Sequence, residues 1–213
     1  MNRDEQMGVY PSAFRRAIVW TLYAAIAMPL MYFATQLIAA PFYPGYSFAN
    51  DTASMLGTTT SRQPWIFNLG AALTGVAGIT AGFGLFRVLR TVTGNALALL
   101  VGISVVANGV LSLKAGMFPM PDPRHASSPF LIFPTLAAPP VFLLIAFWRE
   151  GIALRIYLLC NAVALLLLLP LMTHRMAPLF AEGTTQRLFA LVVFVPVGVT
   201  GYVLVVRVKG SAR

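Results

Sequence analysis

The chain has 213 residues, of which 58% are hydrophobic and only 10% charged, and its formal net charge is +9. Soluble domains carry about 25% charged residues, so this composition excludes an ordinary water-soluble enzyme and points to lipid as the solvent. A basic soluble protein would suggest nucleic acid as partner. In a membrane protein the first use of Lys and Arg is to set orientation, and no nucleic-acid partner is expected.

A spanning helix needs about 20 mostly apolar residues. Six segments meet this, at about 17–42, 64–86, 95–118, 129–148, 152–173 and 188–206. The first follows Arg15 and Arg16 as a signal peptide would, but its apolar run exceeds the roughly 7–15 residues of such a segment and it reads as a retained helix. The expected fold is all-α, a polytopic membrane protein with a bundle of six transmembrane helices, forming one integral membrane domain over residues 1–213. The one cysteine, Cys160, lies inside the fifth run and reads as a small buried hydrophobe.

Lys and Arg divide unequally between the two sides of such a bundle. Arg3, Arg15, Arg16, Arg87, Arg90, Arg149, Arg155, Arg207, Lys209 and Arg213 fall on the side of the termini. Arg62, Lys114, Arg124, Arg175 and Arg187 fall on the other. Ten against five predicts that the N- and C-termini are cytoplasmic. Trp20 and Trp148 then mark the inner interface and Trp65 the outer one. The long connections, about 43–63, 119–128 and 174–187, lie outside, and they carry both histidines together with Asp51, Asp122 and Glu182.

The first outer connection holds Ser47-Phe-Ala-Asn-Asp-Thr-Ala-Ser-Met-Leu-Gly57, in which Asn50 or Asp51 can cap a short helix ended by Gly57. Asp51 and Ser54, three apart, would share a face of it. In the second span Gly70, Thr74, Gly78 and Gly82 recur every four residues, the small-residue pattern of close helix packing. Asn68 sits just beyond that stripe and can reach the loop or a ligand. In the third span Ser104, Asn108 and Ser112 share a face, for interhelical hydrogen bonds or a ligand contact. Pro134, Pro139 and Pro140 kink the fourth span beside a cavity. Between the third and fourth spans, Met117-Phe-Pro-Met-Pro-Asp-Pro-Arg-His125 stiffens a loop carrying Asp122, Arg124 and His125, an acid–base pair in the functional reading and a solvated turn in the plain one. His174 caps the fifth helix or faces the same space, and Glu182 to Arg187 can open the sixth helix. No HExxH, Gly-x-Ser-x-Gly or phosphate-binding glycine loop is present, no metal site is assigned, and no cofactor is required.

Ser47…Asp51-Thr-Ala-Ser-Met-Leu-Gly57, Asn68-Leu-Gly70, Phe118-Pro-Met-Pro-Asp122…His125 and Gly183-Thr-Thr-Gln-Arg187, in that order on six spans, resemble the prokaryotic membrane family called domain of unknown function 998. A weaker likeness reaches the eukaryotic six-span family that includes the damage-regulated autophagy modulators. The resemblance implies a six-helix fold with polar motifs on the outer side and supplies no activity. The expected function is binding of a lipid or small amphiphilic molecule in an extracytoplasmic-facing pocket, in a sensing, binding or transport-accessory role, with Ser54, Asn68, Asn108, His174 and Arg187 as binding residues. The alternative is an intramembrane enzyme acting on a lipid-like substrate, with Asp51, Asp122 and His125 doing acid–base chemistry. Membrane lipids are the expected partners, and a prokaryotic cytoplasmic membrane the expected location.

Overall fold

The computed structural model describes residues 12–125, 139–172 and 179–210, and the described residues are helical with no strand. Helix α1 spans Ser12–Ala39 and runs into a 3-10 turn, Ala40–Phe42. A second 3-10 turn, Ala53–Gly57, precedes α2, Pro64–Thr93. Helix α3 is Asn95–Met117, followed by a third 3-10 turn, Pro123–His125. Helices α4 (Pro139–Ala146), α5 (Ile152–Met172) and α6 (Glu182–Gly210) complete the chain. Five of these, all but α4, are long and apolar enough to cross a membrane. The fourth predicted span is described only from Pro139 onward, so Pro134 lies outside the described residues, while Pro139 and Pro140 are buried in α4.

Neighbours in sequence pack against each other from α1 to α4, and α6 returns against α1 and α4, with α5 seated on α4 and α6. Leu22 and Met28 of α1, Leu85 and Leu89 of α2, Val101 and Val105 of α3, Leu143 of α4 with Phe147 just after it, and Val193 and Val197 of α6 form a common core. Large apolar side chains elsewhere point outward, among them Leu37, Leu73, Phe83, Ile103, Leu166 and Leu167. Such a surface is stable only where lipid takes the place of water. Trp20, Trp65 and Trp148 are also exposed, as an interfacial belt requires. Cys160 is exposed as well, not buried as its sequence context suggested. In an apolar helix the outward face is as hydrophobic as the inward one, so composition alone does not tell which side a thiol takes.

The closest packing joins α2 and α3, which turn into one another at Gly94, whose φ of 89° suits glycine. A Cβ on Gly78 would lie 2.8 Å from Gly109 Cα, and one on Gly109 would lie 2.5 Å from Ile79 N and 2.8 Å from Gly75 O. The predicted stripe divides between two neighbours. Gly78 and Gly82 face α3, whereas a Cβ on Gly70 would meet the Thr35 side chain of α1. A four-residue step overshoots a helical turn by about 40°, so three steps rotate the stripe by about 120°. Beside Gly78, the contacts with α3 involve Gly75 and Gly82 on one helix and Gly102, Gly109 and Gly116 on the other, a seven-residue spacing that drifts only about 20° per repeat.

Polar groups inside the bundle are satisfied largely along their own helices. Thr74 Oγ1 donates to Gly70 O, Ser104 Oγ to Val101 O and Asn108 Nδ2 to Ser104 O, each at 2.8 Å. The interhelical bonds expected of Ser104 and Asn108 are replaced by bonds to the preceding turn, which a short side chain reaches without a partner helix. At the end holding the termini, Arg207 donates two hydrogen bonds to Glu150, at 2.9 and 2.5 Å, tying α6 to the α4–α5 connection.

The α2–α3 contact yields a stability test. Replacing Gly109 by Ala sets a methyl group against the α2 backbone, and overpacking of this kind costs about 1–3 kcal/mol. Thermal unfolding in detergent is expected to show that loss for Gly109→Ala. Gly151→Ala, where a Cβ meets nothing within 4 Å, is expected to stay within about 0.5 kcal/mol of the parent. Equal stability of the two variants would contradict the packing described.

Candidate functional site

The sequence motifs converge at the end of the bundle where α1 finishes and α2 and α6 begin. Their centre is Arg187, one turn into α6. Its Nη1 donates to Phe48 O at 2.6 Å, Asp51 O at 2.9 Å and Gly183 O at 2.9 Å. Its Nη2 donates to the Tyr46 hydroxyl. The Tyr46 hydroxyl in turn donates to Thr52 O at 3.1 Å. The guanidinium also lies over the Phe48 ring, 5.0 Å from its centroid. Burial raises the Tyr46 phenol above its ordinary pKa, although the Arg187 charge acts in the opposite direction.

The first turn of α6 meets the same loop through its backbone. Gly183 N donates to Asn50 O at 3.3 Å and Thr184 N to Ala49 O at 2.8 Å. Helix N-termini leave N–H groups without intrahelical partners, and here the carbonyls of the loop take them. Gly183 is required by that approach, because a Cβ there would lie 2.3 Å from Asp51 O. The neighbouring Gln186 Oε1 accepts from Ala53 N at 2.7 Å.

Asp51 does not cap the short helix. Its Oδ2 accepts from Ser47 N at 2.8 Å and closes a turn that also holds Asp51 N to Ser47 O at 2.8 Å. The 3-10 turn that follows starts after Thr52, with no side-chain cap, so Asp51 and Ser54 do not share a helical face. Asn68 reaches the far end of that turn, donating from Nδ2 to Gly57 O at 3.1 Å. The Ala53–Gly57 segment is thus held at one end by α6 and at the other by α2.

Ser54 lies within the held segment, and His125 comes to it from the α3 side. His125 Nε2 is 3.0 Å from Ser54 Oγ, and Nδ1 is 2.8 Å from Phe118 O. The expected Asp122–His125 partnership takes a different form. The Asp122 carboxylate accepts from Arg124, with Nη2 2.6 Å and Nε 3.0 Å away and the Arg124 backbone N at 2.8 Å. A guanidinium two residues away, on the same tight turn, offers a fork that matches a carboxylate better than an imidazole does. These bonds hold the Asp122 carboxyl down at a pKa of about 2. Arg124 also stacks over Phe118, 4.0 Å from its centroid, which braces the residue whose carbonyl receives His125.

The remaining candidates divide. Asn108 is buried on α3, nine residues before Met117 and so about 13 Å along the helix from that end. His174 lies outside the described residues. Among the described residues no three His, Cys, Asp or Glu side chains gather into a metal-binding group. Sequence reasoning missed Gln36, which is 2% exposed near the end of α1, and Tyr32 and Tyr46, which lie within electrostatic reach of Arg187. A lone amide in an apolar span is the signal that identifies Gln36. Gln36 Oε1, Asn68 Oδ1 and Arg187 Nε are buried and have no hydrogen-bond partner among the described residues. A groove of about 530 Å³ lies toward the other end, between α2 and α3, lined by Gly82, Phe86, Leu99, Ile103 and Val106 with Arg87.

A family model described as "Protein of unknown function (DUF998)" matches residues 25–203. The chain belongs to this family. No curated protein and no solved structure matches the chain, so the weaker likeness to the autophagy modulators gains no support.

The Asp122–Arg124 pair carries a pH prediction. A carboxyl whose pKa is lowered keeps its charged pairing above its ordinary value, 3.8 here, and loses it as the pH falls through about 2. An NMR titration of the Asp122 side chain is expected to show a midpoint near 2 in the parent and a higher one in Arg124→Gln. A parent midpoint at the ordinary value would remove the pair.

Proposed function

We propose that this DUF998 member spans a prokaryotic cytoplasmic membrane six times with both termini in the cytoplasm, and that it binds a lipid or small amphiphile at its extracytoplasmic end. The Lys and Arg distribution supports the orientation. It puts the Arg187 cluster, Asn68, Ser54 and His125 on the outer side.

The observation that carries the binding reading is that Gln36 Oε1, Asn68 Oδ1 and Arg187 Nε, on the helix ends nearest the first outer loop, are buried without a hydrogen-bond partner among the described residues. Each such atom costs about 1–3 kcal/mol if left without a partner. The three come from α1, α2 and α6, and offer one donor and two acceptors. A polar head that both accepts and donates would satisfy them, while its apolar chain remains in the bilayer beside the exposed Leu37, Ile38 and Leu69. Proton transfer by Asp51 and Asp122 is less well supported, because both carboxylates are engaged, by Ser47 N and by Arg124.

Two experiments test this reading. For orientation, single cysteines at Thr59 and Gly210, both exposed, are placed in a Cys160→Ala background. A membrane-impermeant thiol reagent on intact cells is expected to label position 59 and spare position 210, and the reverse result would invert the topology. For binding, protein extracted from its own membrane in mild detergent is measured by native mass spectrometry. A retained amphiphile is expected. Gln36→Leu, which removes one hydrogen bond, is expected to weaken retention by about tenfold. A folded parent carrying no amphiphile would overturn the binding reading.

A further inference from the structure

Ser54 and His125 have a geometry that loop packing alone does not require. Phe118 O is a carbonyl and can only accept, so at 2.8 Å it fixes the proton of a neutral His125 on Nδ1. Nε2 then carries a bare lone pair, and the Ser54 hydroxyl, 3.0 Å away, donates into it. A hydroxyl held against the basic nitrogen of an imidazole, whose other nitrogen is held by a third group, is the activation pattern of a serine nucleophile. A main-chain carbonyl occupies the place usually taken by a carboxylate.

The support around the pair is rigid. Gln186 takes the N–H of Ala53 next to Ser54, Asn68 takes the carbonyl of Gly57, and Arg124 packs on Phe118. Pro119, Pro121 and Pro123 fix φ in the chain leading to His125. Both side chains are part-buried at the end of the bundle marked by the exposed Trp65, a residue type enriched at membrane interfaces.

We propose that Ser54 is the nucleophile of an acyl-transfer site, with His125 as its general base, acting on the carboxylic ester of a membrane amphiphile. The inference rests on the reading of this end of the bundle as an amphiphile site and names the substrate class. The Ser54 proton passes to His125 Nε2 while Oγ bonds to the ester carbonyl carbon. The ester C–O bond then breaks, and the leaving alcohol takes the proton from Nε2. Water, deprotonated by the same nitrogen, releases the acid from Ser54 and returns the hydroxyl proton.

The test treats the full-length protein, in its native membrane, with a long-chain alkyl fluorophosphonate, and locates the adduct by peptide mass spectrometry. An adduct on Ser54 is expected, absent in Ser54→Ala. His125→Gln keeps a hydrogen-bonding side chain and is expected to slow labelling by about 100-fold or more, the usual contribution of a general base. A folded parent that takes no label on Ser54 would overturn the proposal, as would a labelling rate unchanged in His125→Gln. If the parent still retains its amphiphile but takes no label, the acyl-transfer site fails and the binding reading stands.

Discussion

A guanidinium keeps its charge at any pH a protein meets, so an arginine drawn into the end of a membrane bundle must be surrounded by acceptors. Arg187 meets that demand by gathering the carbonyls of Phe48, Asp51 and Gly183 and the hydroxyl of Tyr46. Three of those groups belong to the connection between α1 and α2, whose Ala53 and Leu56 are also buried against Ala39, Phe67 and Ala71. The arginine adds a polar clip to this small apolar cluster and ties the loop to α6. The conformation of the segment that carries Ser54 follows from it, because Thr52, Ala53 and Gly57 are positioned by groups that lie around the clip.

The same demand explains where the sequence was a good guide to the fold and where it was not. Hydropathy located the long helices because a span must be apolar along its length. It placed the ends of α2 and α6 too far inward. Helix α2 continues to Thr93, beyond Arg87 and Arg90, and Arg90 stacks over Phe86 one turn earlier. A charged side chain can end the apolar run without ending the helix, since its long stem carries the charge to the interface. Helix α6 begins at Glu182, as the reading of Glu182 to Arg187 as its opening allows and six residues before the apolar run starts, because its first N–H groups and Arg187 are satisfied by a loop more than 130 residues away in sequence. Periodicity does not report a partner of that kind. The glycine stripe marked close packing correctly, and what it left open was the partner. It has the right residues, yet its spacing serves two neighbours in succession, and a single sequence does not show which neighbour each glycine meets.

The motif residues were legible as a group; singly, Asn68 reaches the loop as expected, whereas Asp51 does not cap the short helix. Asp51, Asn68 and Arg187 drew attention as polar residues on an apolar chain, and the structure gathers them at one end of the bundle. Their individual bonds go mainly to backbone atoms: Asp51 to Ser47 N, Asn68 to Gly57 O, Arg187 to the loop carbonyls. Chemical type predicts that a side chain will find a partner, but a backbone carbonyl has no signature in sequence. Phe118 is the clearest case. Nothing in its side chain announces that its carbonyl receives His125.

Once those structural bonds are assigned, the groups with chemistry to spare are few. A residue that only clips a loop needs all its polar atoms paired, because each buried orphan weakens the clip it belongs to. Arg187 and Asn68 each pair one part of the side chain with the loop and leave another buried atom unpaired among the described residues. Gln36 likewise gives its Nδ-side equivalent, Nε2, to Tyr32 O and keeps Oε1 free of described partners. If stability alone governed these positions, an apolar side chain at Gln36 would serve α1 better, since the helix already satisfies its own backbone. The proposed amphiphile gives the arrangement a physical rationale: the paired atoms hold the loop, and the unpaired ones are left to meet a polar head. On that view Arg187 and Asn68 serve both the clip and the proposed amphiphile, whereas Gln36, bonded only to its own helix, would serve the amphiphile alone.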